Sequence, residues 1–219
     1  MISRKQDLLD LVEKWGVVPF FKNPLPGFSV AETCDPALWF TETPGPWEWK
    51  GPVIRETGAA YGKFLHKKAA WVRKDLYCHL ANFRRDGYDF DARWDDGLAS
   101  RREKRLYDLA SSSGPALSTE LRARGGYTGE GRKEFDPVLT ALQMEGYLLC
   151  SDFVYSVDKK GKPYGWGVAE VATPEAFYGE AFARAVYGTE PEQSARILTE
   201  AVQKAAGCAD RAAARLLAK

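Results

Sequence analysis

Aromatic and basic residues that could hold a phosphate or stack on a base cluster between positions 47 and 85. The segment Trp47-Glu48-Trp49-Lys50 places a carboxylate and an ammonium beside two indoles. The cations that follow it are Lys63, His66, Lys67, Lys68, Arg84 and Arg85. Cations beside flat aromatic rings are typical of surfaces that bind phosphates and stack on nucleobases. The alternative is that the tryptophans belong to the core and the cations form a solvated face, because large aromatic side chains are usually buried.

A second group of cations lies in the middle of the chain. Arg132 and Lys133 follow the glycine-rich stretch 125–131, which lacks the spacing of a nucleotide-binding phosphate loop and does not follow a strand. We interpret this stretch as a flexible connection, with Arg132 and Lys133 placed at a helix start where a phosphate can be contacted. A predicted turn over 158–163 carries three further cations, and we expect them to contact nucleic acid: Lys159, Lys160 and Lys162.

Metal and nucleophilic chemistry have little support in the sequence. The cysteines are widely separated, with no Cys-x-x-Cys and no histidine at ligand spacing, which favours reduced thiols over zinc or disulfides. The aspartates between positions 86 and 96 do not form a calcium loop, because Arg93 and Trp94 stand where an acidic residue and a glycine are required. The histidines His66 and His79 have no serine or cysteine partner at a recognisable spacing. We therefore predict no metal and no cofactor.

The elements that would position these groups are clearest between positions 98 and 171. Apolar residues recur on one side of the helical segments, and paired glycines or a glycine and a proline separate them. Helices are predicted over about 98–110, 118–122 and 133–145, and strands over 147–157 and 164–171. Helix, turn, helix, helix and a two-stranded wing in this order predict a winged helix-turn-helix. The third helix would be its recognition helix, closed by Gly146 in a left-handed conformation.

The flanking regions complete an α+β fold class. Before the winged helix we predict a first helix with a capping box of Ser3 and Gln6. Strands are then predicted over 53–56 and 60–72 around the turn Thr57-Gly58, although the second segment could be partly helical, and a helix follows over 75–83. After the wing, helices are predicted over 175–187, 192–206 and 209–217. The predicted domains are an aromatic-rich N-terminal α/β subdomain (1–97), the winged helix-turn-helix core (98–172) and a C-terminal helical extension (173–219).

Composition and charge limit the function classes. A chain of 219 residues with 45% hydrophobic content and seven tryptophans can bury one large core or two modest ones. No window is long and apolar enough for a membrane span, so we expect a cytoplasmic protein. The overall charge of +1 is uneven: 50–105 has 14 basic and 8 acidic residues, whereas 118–163 has seven of each. The charge of the predicted winged helix therefore does not by itself favour tight nonspecific binding to DNA.

Four segments carry a family resemblance, which spans roughly 47–175. They are FLHKKAAWVR (64–73), LANFRR (80–85), GPALSTEL (114–121) and VLTALQMEGY (138–147). In this order they resemble the winged-helix family of AlkZ-type (YcaQ-type) DNA glycosylases, and more closely the shorter proteins called AlkZ-related. The resemblance implies contact with duplex DNA and excision of alkylated or crosslinked bases, for which the family positions a water with a Gln-x-Gln pair.

This chain departs from that pattern at the catalytic motif. Its glutamines are Gln6, Gln143, Gln193 and Gln203, and no two of them lie two positions apart. Glu48, between two tryptophans, is the weak candidate for a replacement that orients water, with Trp47 or Trp49 stacking on an extruded base. Three functions remain open: a DNA-binding protein without chemistry, an active glycosylase with a non-standard catalytic residue, and a transcription regulator or interaction module that pairs as a homodimer.

Overall fold

The computed structural model describes residues 1–40, 44–159 and 163–218. It is a mixed α+β fold in which helices surround one antiparallel sheet. The first part of the chain forms α1 (Lys5–Trp15), β1 (Val17–Pro19), α2 (Val30–Thr33), a 3-10 turn (Pro36–Leu38), α3 (Lys50–Thr57), β2 (Ala60–Leu65), β3 (Lys68–Val72), α4 (Lys74–Arg85) and α5 (Phe90–Asp95).

The remainder begins with α6 (Arg101–Ser113), β4 (Ala116–Leu117), α7 (Ser118–Arg124), a 3-10 turn (Gly129–Gly131) and α8 (Arg132–Met144). It continues with β5 (Leu149–Val157), β6 (Pro163–Ala172), α9 (Pro174–Tyr178), α10 (Glu180–Arg184), α11 (Pro191–Ala206) and α12 (Asp210–Leu217). The helices predicted near 98–110, 118–122 and 133–145 and the two strands after them are confirmed as elements, with shifted ends. Gly146 has a φ of 78° after α8, which confirms the predicted left-handed closure.

One sheet connects the two halves of the chain. Within the described residues its strand order is β1-β3-β2-β5-β6-β4, and every neighbouring pair is antiparallel. The halves meet where β2 pairs with β5 through Tyr61 and Cys150. The short β4, which the sequence pattern did not predict, pairs Ala116 with Val171 of β6. Strands from 1–97 and from 98–172 therefore share one set of backbone hydrogen bonds.

Three buried clusters hold the layers together. The first joins the C-terminal helices to α4 and β2, and includes Phe64, Tyr77, Leu198, Val202 and Leu216. The second is rich in aromatic residues and lies beside α1 and α3, with Phe20, Trp49, Tyr61, Trp71 and Phe153. The third packs α6, α7 and α8 together through Leu106, Leu121, Phe135, Leu142 and Val171. Helices α11 and α12 thus bury their apolar faces against this chain's own core.

The prediction of a strand over 53–56 is wrong, because these residues lie in α3. Pro52 sits in the first turn of this helix, where its missing N–H costs nothing, and Gly58 ends it with a φ of 65°. Val53 and Ile54 are both buried, so their burial reflects one helix face rather than two faces of a strand. β-branched residues at these positions suggested a strand, and packing against α1 and β5 overrode that preference.

Two predictions at helix boundaries also need correction. Asp7, not Gln6, closes the start of α1, since its Oδ2 accepts from the Ser3 N–H at 2.9 Å and the Arg4 N–H at 3.2 Å. These hydrogen bonds, led by the Ser3 N–H, lower the pKa of Asp7 to about 2. The helix predicted over 175–187 is broken into α9 and α10 at Gly179, whose φ of 75° cannot continue a right-handed helix.

Candidate functional site

A groove runs between α8 and the hairpin of β2 and β3. On the hairpin, the Lys63 N–H donates to Oε1 of Gln143 at 2.9 Å, and the Lys63 ammonium donates to the Thr140 hydroxyl at 3.2 Å. Further along, the Lys67 N–H approaches the Met144 sulfur at 3.3 Å. These contacts enclose an outer cleft of about 600 Å³, which Lys63 and Lys67 line together with one face of α8.

The tip of this hairpin has a strained backbone. Leu65 pairs with Lys68, which leaves His66 and Lys67 as a two-residue turn with φ values of 49° and 62°. A turn with positive φ at both positions is the type I′ turn, which normally uses Asn-Gly or Gly-Gly. A side chain in this region costs about 1–2 kcal/mol per residue, because Cβ approaches the carbonyl oxygen. The fold therefore holds two basic side chains at a turn where glycine would be more stable.

The cations of the groove have no acidic partner among the residues that the structure describes. The set, which we call the groove cations, consists of Lys63 and Lys67, which line the cleft, and of Arg132 and Lys133, which stand at the start of α8. Arg132 and Lys133 begin α8, about 12 Å from Thr140 along the helix axis. Lys133, Pro137 and Ala141 follow one another at four-residue intervals, so Lys133 lies on the helix face that lines the cleft.

The acidic residues of the same groove are already neutralised. Asp136 pairs with the Arg122 guanidinium at 3.0 Å, and Glu145 pairs with Arg93 at 2.7 Å. Both carboxylates line the outer cleft. Arginines outside the cleft lining balance the charges of these two carboxylates. The groove cations therefore give the groove an excess of positive charge. Such a surface attracts an anion at low ionic strength.

A smaller, inner cleft of about 250 Å³ continues the groove toward the sheet. It shares Lys63, Asp136 and Thr140 with the outer cleft and adds Lys50, Tyr61, Ser118, Gln143, Cys150 and Phe153. Burial raises the pKa of the Cys150 thiol to about 11 and lowers that of the Lys50 ammonium. Burial likewise raises the pKa of the Tyr61 hydroxyl well above its ordinary value. A neutral thiol and phenol and a buried amine therefore line the inner cleft.

Arg84 lies in the interior and not in the groove. Its side chain is 0% exposed, and Nη2 donates to the carbonyl oxygens of Phe64 at 3.2 Å and Leu217 at 2.7 Å. Nη1 donates to the Met144 carbonyl at 3.4 Å. Met144 and Leu217 end α8 and α12, and C-terminal helix carbonyls carry partial negative charge. Burial lowers the pKa of Arg84 to about 10, which still keeps it charged at neutral pH. This guanidinium joins three elements and presents no surface to a ligand.

The other residues between 63 and 85 that we predicted to bind nucleic acid also have hydrogen-bond or ion-pair partners within the protein. Arg85 pairs with Glu175 at 2.7 Å, donates to the Gly146 carbonyl at 2.8 Å and is only 14% exposed. His66 is exposed, and its Nε2 lies 2.9 Å from the Arg215 carbonyl oxygen. The Lys68 ammonium donates to the Lys22 carbonyl at 2.8 Å. His66 and Lys68 thus remain at the surface beside the groove, whereas Arg85 is mainly an internal pairing residue.

The two predicted base-stacking residues pack within the aromatic cluster. Trp49 is 6% exposed, so its ring is covered on both faces by the protein. Trp47 is half-buried and lies 5.0 Å from the Phe20 ring and 5.6 Å from the Trp39 ring, between centroids. Glu48 is exposed and accepts from the Gly45 N–H at 2.8 Å, which closes the turn before α3. None of these three residues lines either cleft.

Lys159 of the β5–β6 turn is separated from the groove. Lys159 is exposed, nine positions beyond Cys150 of the inner cleft, which corresponds to up to about 30 Å along an extended strand. Lys160 and Lys162 lie outside the residues that the structure describes. The predicted site residues that the structure describes therefore divide into those of the groove and its edge, those packed inside the protein, and Lys159 near the end of the β5–β6 hairpin.

Several residues of the site were missed by sequence reasoning. Gln143 is buried, and its amide connects Lys63 to Cys150, with Nε2 at 3.5 Å from the sulfur. Its position on the apolar stripe of α8 was the available signal, since a polar residue among buried ones requires hydrogen-bond partners. His79 lies 3.0 Å from the Ser194 hydroxyl, a pair 115 positions apart. Ser194 is 0% exposed, so this pair is structural.

The fold and the groove define an α+β protein with a cationic cleft beside a helix. Among the described residues, there is no cluster of three or more side chains suited to a metal ion. Membrane-spanning character is also absent from every helix within the described ranges. A family model for AlkZ-related proteins matches residues 2–219, and the chain belongs to the AlkZ-related family. This confirms the resemblance noted from the sequence. No curated protein and no solved structure matches the chain.

Proposed function

We propose that this protein binds duplex DNA in the groove between α8 and the β2–β3 hairpin. The observation that carries the proposal is the set of four groove cations without acidic partners among the described residues, beside two carboxylates that arginines already neutralise. Phosphate contacts by lysine and arginine supply most of the sequence-independent affinity for DNA. Relationship to the AlkZ-type proteins supports the same conclusion.

We further propose that 98–172 form a winged helix-turn-helix. In support, α6, α7 and α8 share one buried cluster. Along the chain β4 lies between α6 and α7, and β5 and β6 follow α8; these three strands are neighbours in the sheet. In this arrangement α8 is the recognition helix and the β5–β6 turn is the wing. The β2–β3 hairpin is then an additional basic arm that lies beside the recognition helix, and its strained His66-Lys67 turn presents side chains to the phosphate backbone.

Titration of a labelled duplex at several salt concentrations tests the proposal. The logarithm of the binding constant should fall linearly with the logarithm of the salt concentration. Replacing Lys63 and Lys67 together by alanine should reduce this slope by about 1.8, since each lost phosphate contact removes about 0.9. The matched control is Lys14→Ala with Lys204→Ala, which changes the net charge equally at exposed positions outside both clefts.

The control separates local contacts from overall charge. If both double variants lower the slope equally, the attraction is a property of net charge and the groove has no special part in binding. If the wild-type protein shows no binding at low salt, the DNA-binding proposal is wrong. A sedimentation measurement on the same sample then decides whether the protein is instead a dimeric interaction module.

Base excision is a second candidate function, and the inner cleft favours it. Its volume of about 250 Å³ is slightly below the roughly 300 Å³ at which ligand pockets usually begin, and a carboxylate lies in its wall. Asp136 lines this cleft, whereas Glu48 closes a turn elsewhere. If the protein releases alkylated bases, Asp136→Asn should abolish release, and Glu48→Gln should retain it. The opposite pattern would return the catalytic assignment to Glu48, and absence of release in the wild-type protein would end this candidate.

A further inference from the structure

Lys50 is a buried amine that the DNA-binding proposal does not use. It is 9% exposed and lines the inner cleft. Its Nζ lies 4.1 Å from the centroid of the Phe153 ring and 5.4 Å from that of Trp47. No carboxylate of the described residues lies within ion-pairing distance of it. Buried lysines are usually paired, so an unpaired one at the wall of a cleft requires another explanation.

The surroundings of Lys50 make its protonated form less favourable than that of an exposed lysine. Lys50 is the first residue of α3, and the N-terminus of a helix carries partial positive charge that opposes an ammonium there. Burial also lowers the pKa of this group, and the electrostatic effects of Cys150 and Glu48 raise it only in part. The aromatic rings attract the protonated form, but they supply no hydrogen-bond acceptor of carboxylate strength. Lysines in such settings serve as nucleophiles toward carbonyl carbons.

We propose that Lys50 forms an imine with the aldehyde of an abasic site in DNA. The neutral Nζ attacks C1′ of the ring-opened deoxyribose to give a carbinolamine. The carbonyl oxygen then leaves as water, taking up two protons in total, and the C–N bond becomes a double bond. Asp136 and the Tyr61 hydroxyl line the same cleft and can relay these protons. An imine would hold the protein covalently but reversibly at the abasic site.

This inference rests on the proposed DNA binding, because the groove must bring the abasic site to the inner cleft. The test is reductive trapping: the protein is incubated with a duplex containing one aldehydic abasic site and cyanoborohydride, and denaturing electrophoresis detects the adduct. We expect an adduct with this duplex and none with a duplex whose abasic site is a tetrahydrofuran without aldehyde. Peptide mapping of the wild-type adduct should identify Lys50 as the modified residue.

Variants and a second probe separate the two proposals. Lys50→Met, which keeps an unbranched side chain one atom shorter and without the amine, should remove the adduct and retain binding to the tetrahydrofuran duplex. The control Lys14→Met, at an exposed position of α1, should keep both. An adduct that maps to Lys63 or another lysine overturns the assignment, and so does binding without any adduct. If no duplex is bound at all, trapping with 2-deoxyribose 5-phosphate decides: preferential labelling of Lys50 supports the imine, and uniform labelling of surface lysines refutes it.

Discussion

Two regions use positive charge in opposite ways. One is the buried Arg84 with its three carbonyl acceptors, which we call the interior joint, and the other is the groove at Lys63. Arg84 donates to three backbone carbonyls and is fully buried, whereas Lys63 makes one side-chain hydrogen bond at an exposed position. Arginine suits the interior because its planar fork serves several acceptors and is weakly hydrated, and lysine suits a surface because its ammonium is strongly hydrated. The difference teaches that a cation near the proposed DNA-binding groove is available to DNA only if the fold leaves its donors unused.

The largest expected effect is on the interior joint. Arg84→Met removes the donor from three carbonyl groups, two of them at helix ends, and should lower the free energy of unfolding by about 3 kcal/mol or more. Denaturant unfolding monitored by tryptophan fluorescence measures this loss. Where the variant is still folded, its salt slope for DNA should equal that of the wild-type protein. A change in stability below about 1 kcal/mol would contradict the role of the joint.

The next effect concerns the aromatic cluster, which also belongs to the interior. Trp49→Ala should lower the free energy of unfolding by about 3 kcal/mol, because deleting a buried indole leaves a cavity beside the first turn of α3. The measurement is again denaturant unfolding, with affinity for DNA recorded on the folded fraction. Loss of DNA affinity without loss of stability would restore Trp49 as a base-stacking residue. Phe40→Ala, at an 86% exposed position, is the control.

The start of α8 tests the groove side of the comparison. Replacing Arg132 and Lys133 by alanine should reduce the salt slope by about 1.8 and leave stability within about 0.5 kcal/mol. Both side chains are exposed and lack acidic partners among the described residues, so their removal breaks no ion pair there. Arg101→Ala with Lys74→Ala, at other exposed positions, is the control for net charge. An equal loss in both variants would show that the helix start has no special role.

The strained hairpin turn should separate stability from binding. Lys67→Gly relieves a positive φ that costs about 1–2 kcal/mol, but glycine loses about 0.5–1 kcal/mol more conformational entropy on folding, so the free energy of unfolding should rise by about 0.5–1 kcal/mol. The salt slope should fall by about 0.9. Thermal unfolding and duplex titration measure the two effects. Lys68→Gly is the matched control, since the adjacent residue lies in β3 without a positive φ and should be destabilised by glycine. A destabilised Lys67→Gly would mean that the turn is not strained.

The smallest effect is expected at the β5–β6 turn. Neutralising Lys159, Lys160 and Lys162 should weaken binding to a long duplex and leave binding to a very short duplex unchanged. The reason is that Lys159 lies nine positions beyond Cys150 of the inner cleft, up to about 30 Å along an extended strand, which corresponds to roughly nine base pairs of duplex DNA. Titration of duplexes of two lengths measures the difference. Equal weakening with both lengths would place the wing and the groove on the same few phosphates.

Local patterns predicted most elements well. The amphipathic stripes of α6 and α8 and the glycines that follow them are determined by residues within a few positions of one another. The prediction failed at α3, where Val53 and Ile54 favour a strand by type but pack as one helix face. It also missed the short elements β1, α2, α5 and β4, which have too few residues to show a period. The single strand predicted over 60–72 is two strands, because the chain turns at His66 and Lys67. These errors arise where tertiary contacts outweigh weak local preference.

The sequence alone determined the α+β class, the order of the longer helices and strands in the second half, and the stretches from which the site is built. Only the tertiary structure decided which cations share the groove, because that depends on contacts between distant positions. Lys63 meets Gln143 across 80 positions, and Arg84 meets Leu217 across 133. The type of a residue can be read from the sequence, whereas its burial and its hydrogen-bond partners depend on where the fold places it. Basic residues that look alike in the sequence therefore have different roles. Arg84 hydrogen-bonds inside the protein, whereas Lys63 lies exposed in the groove.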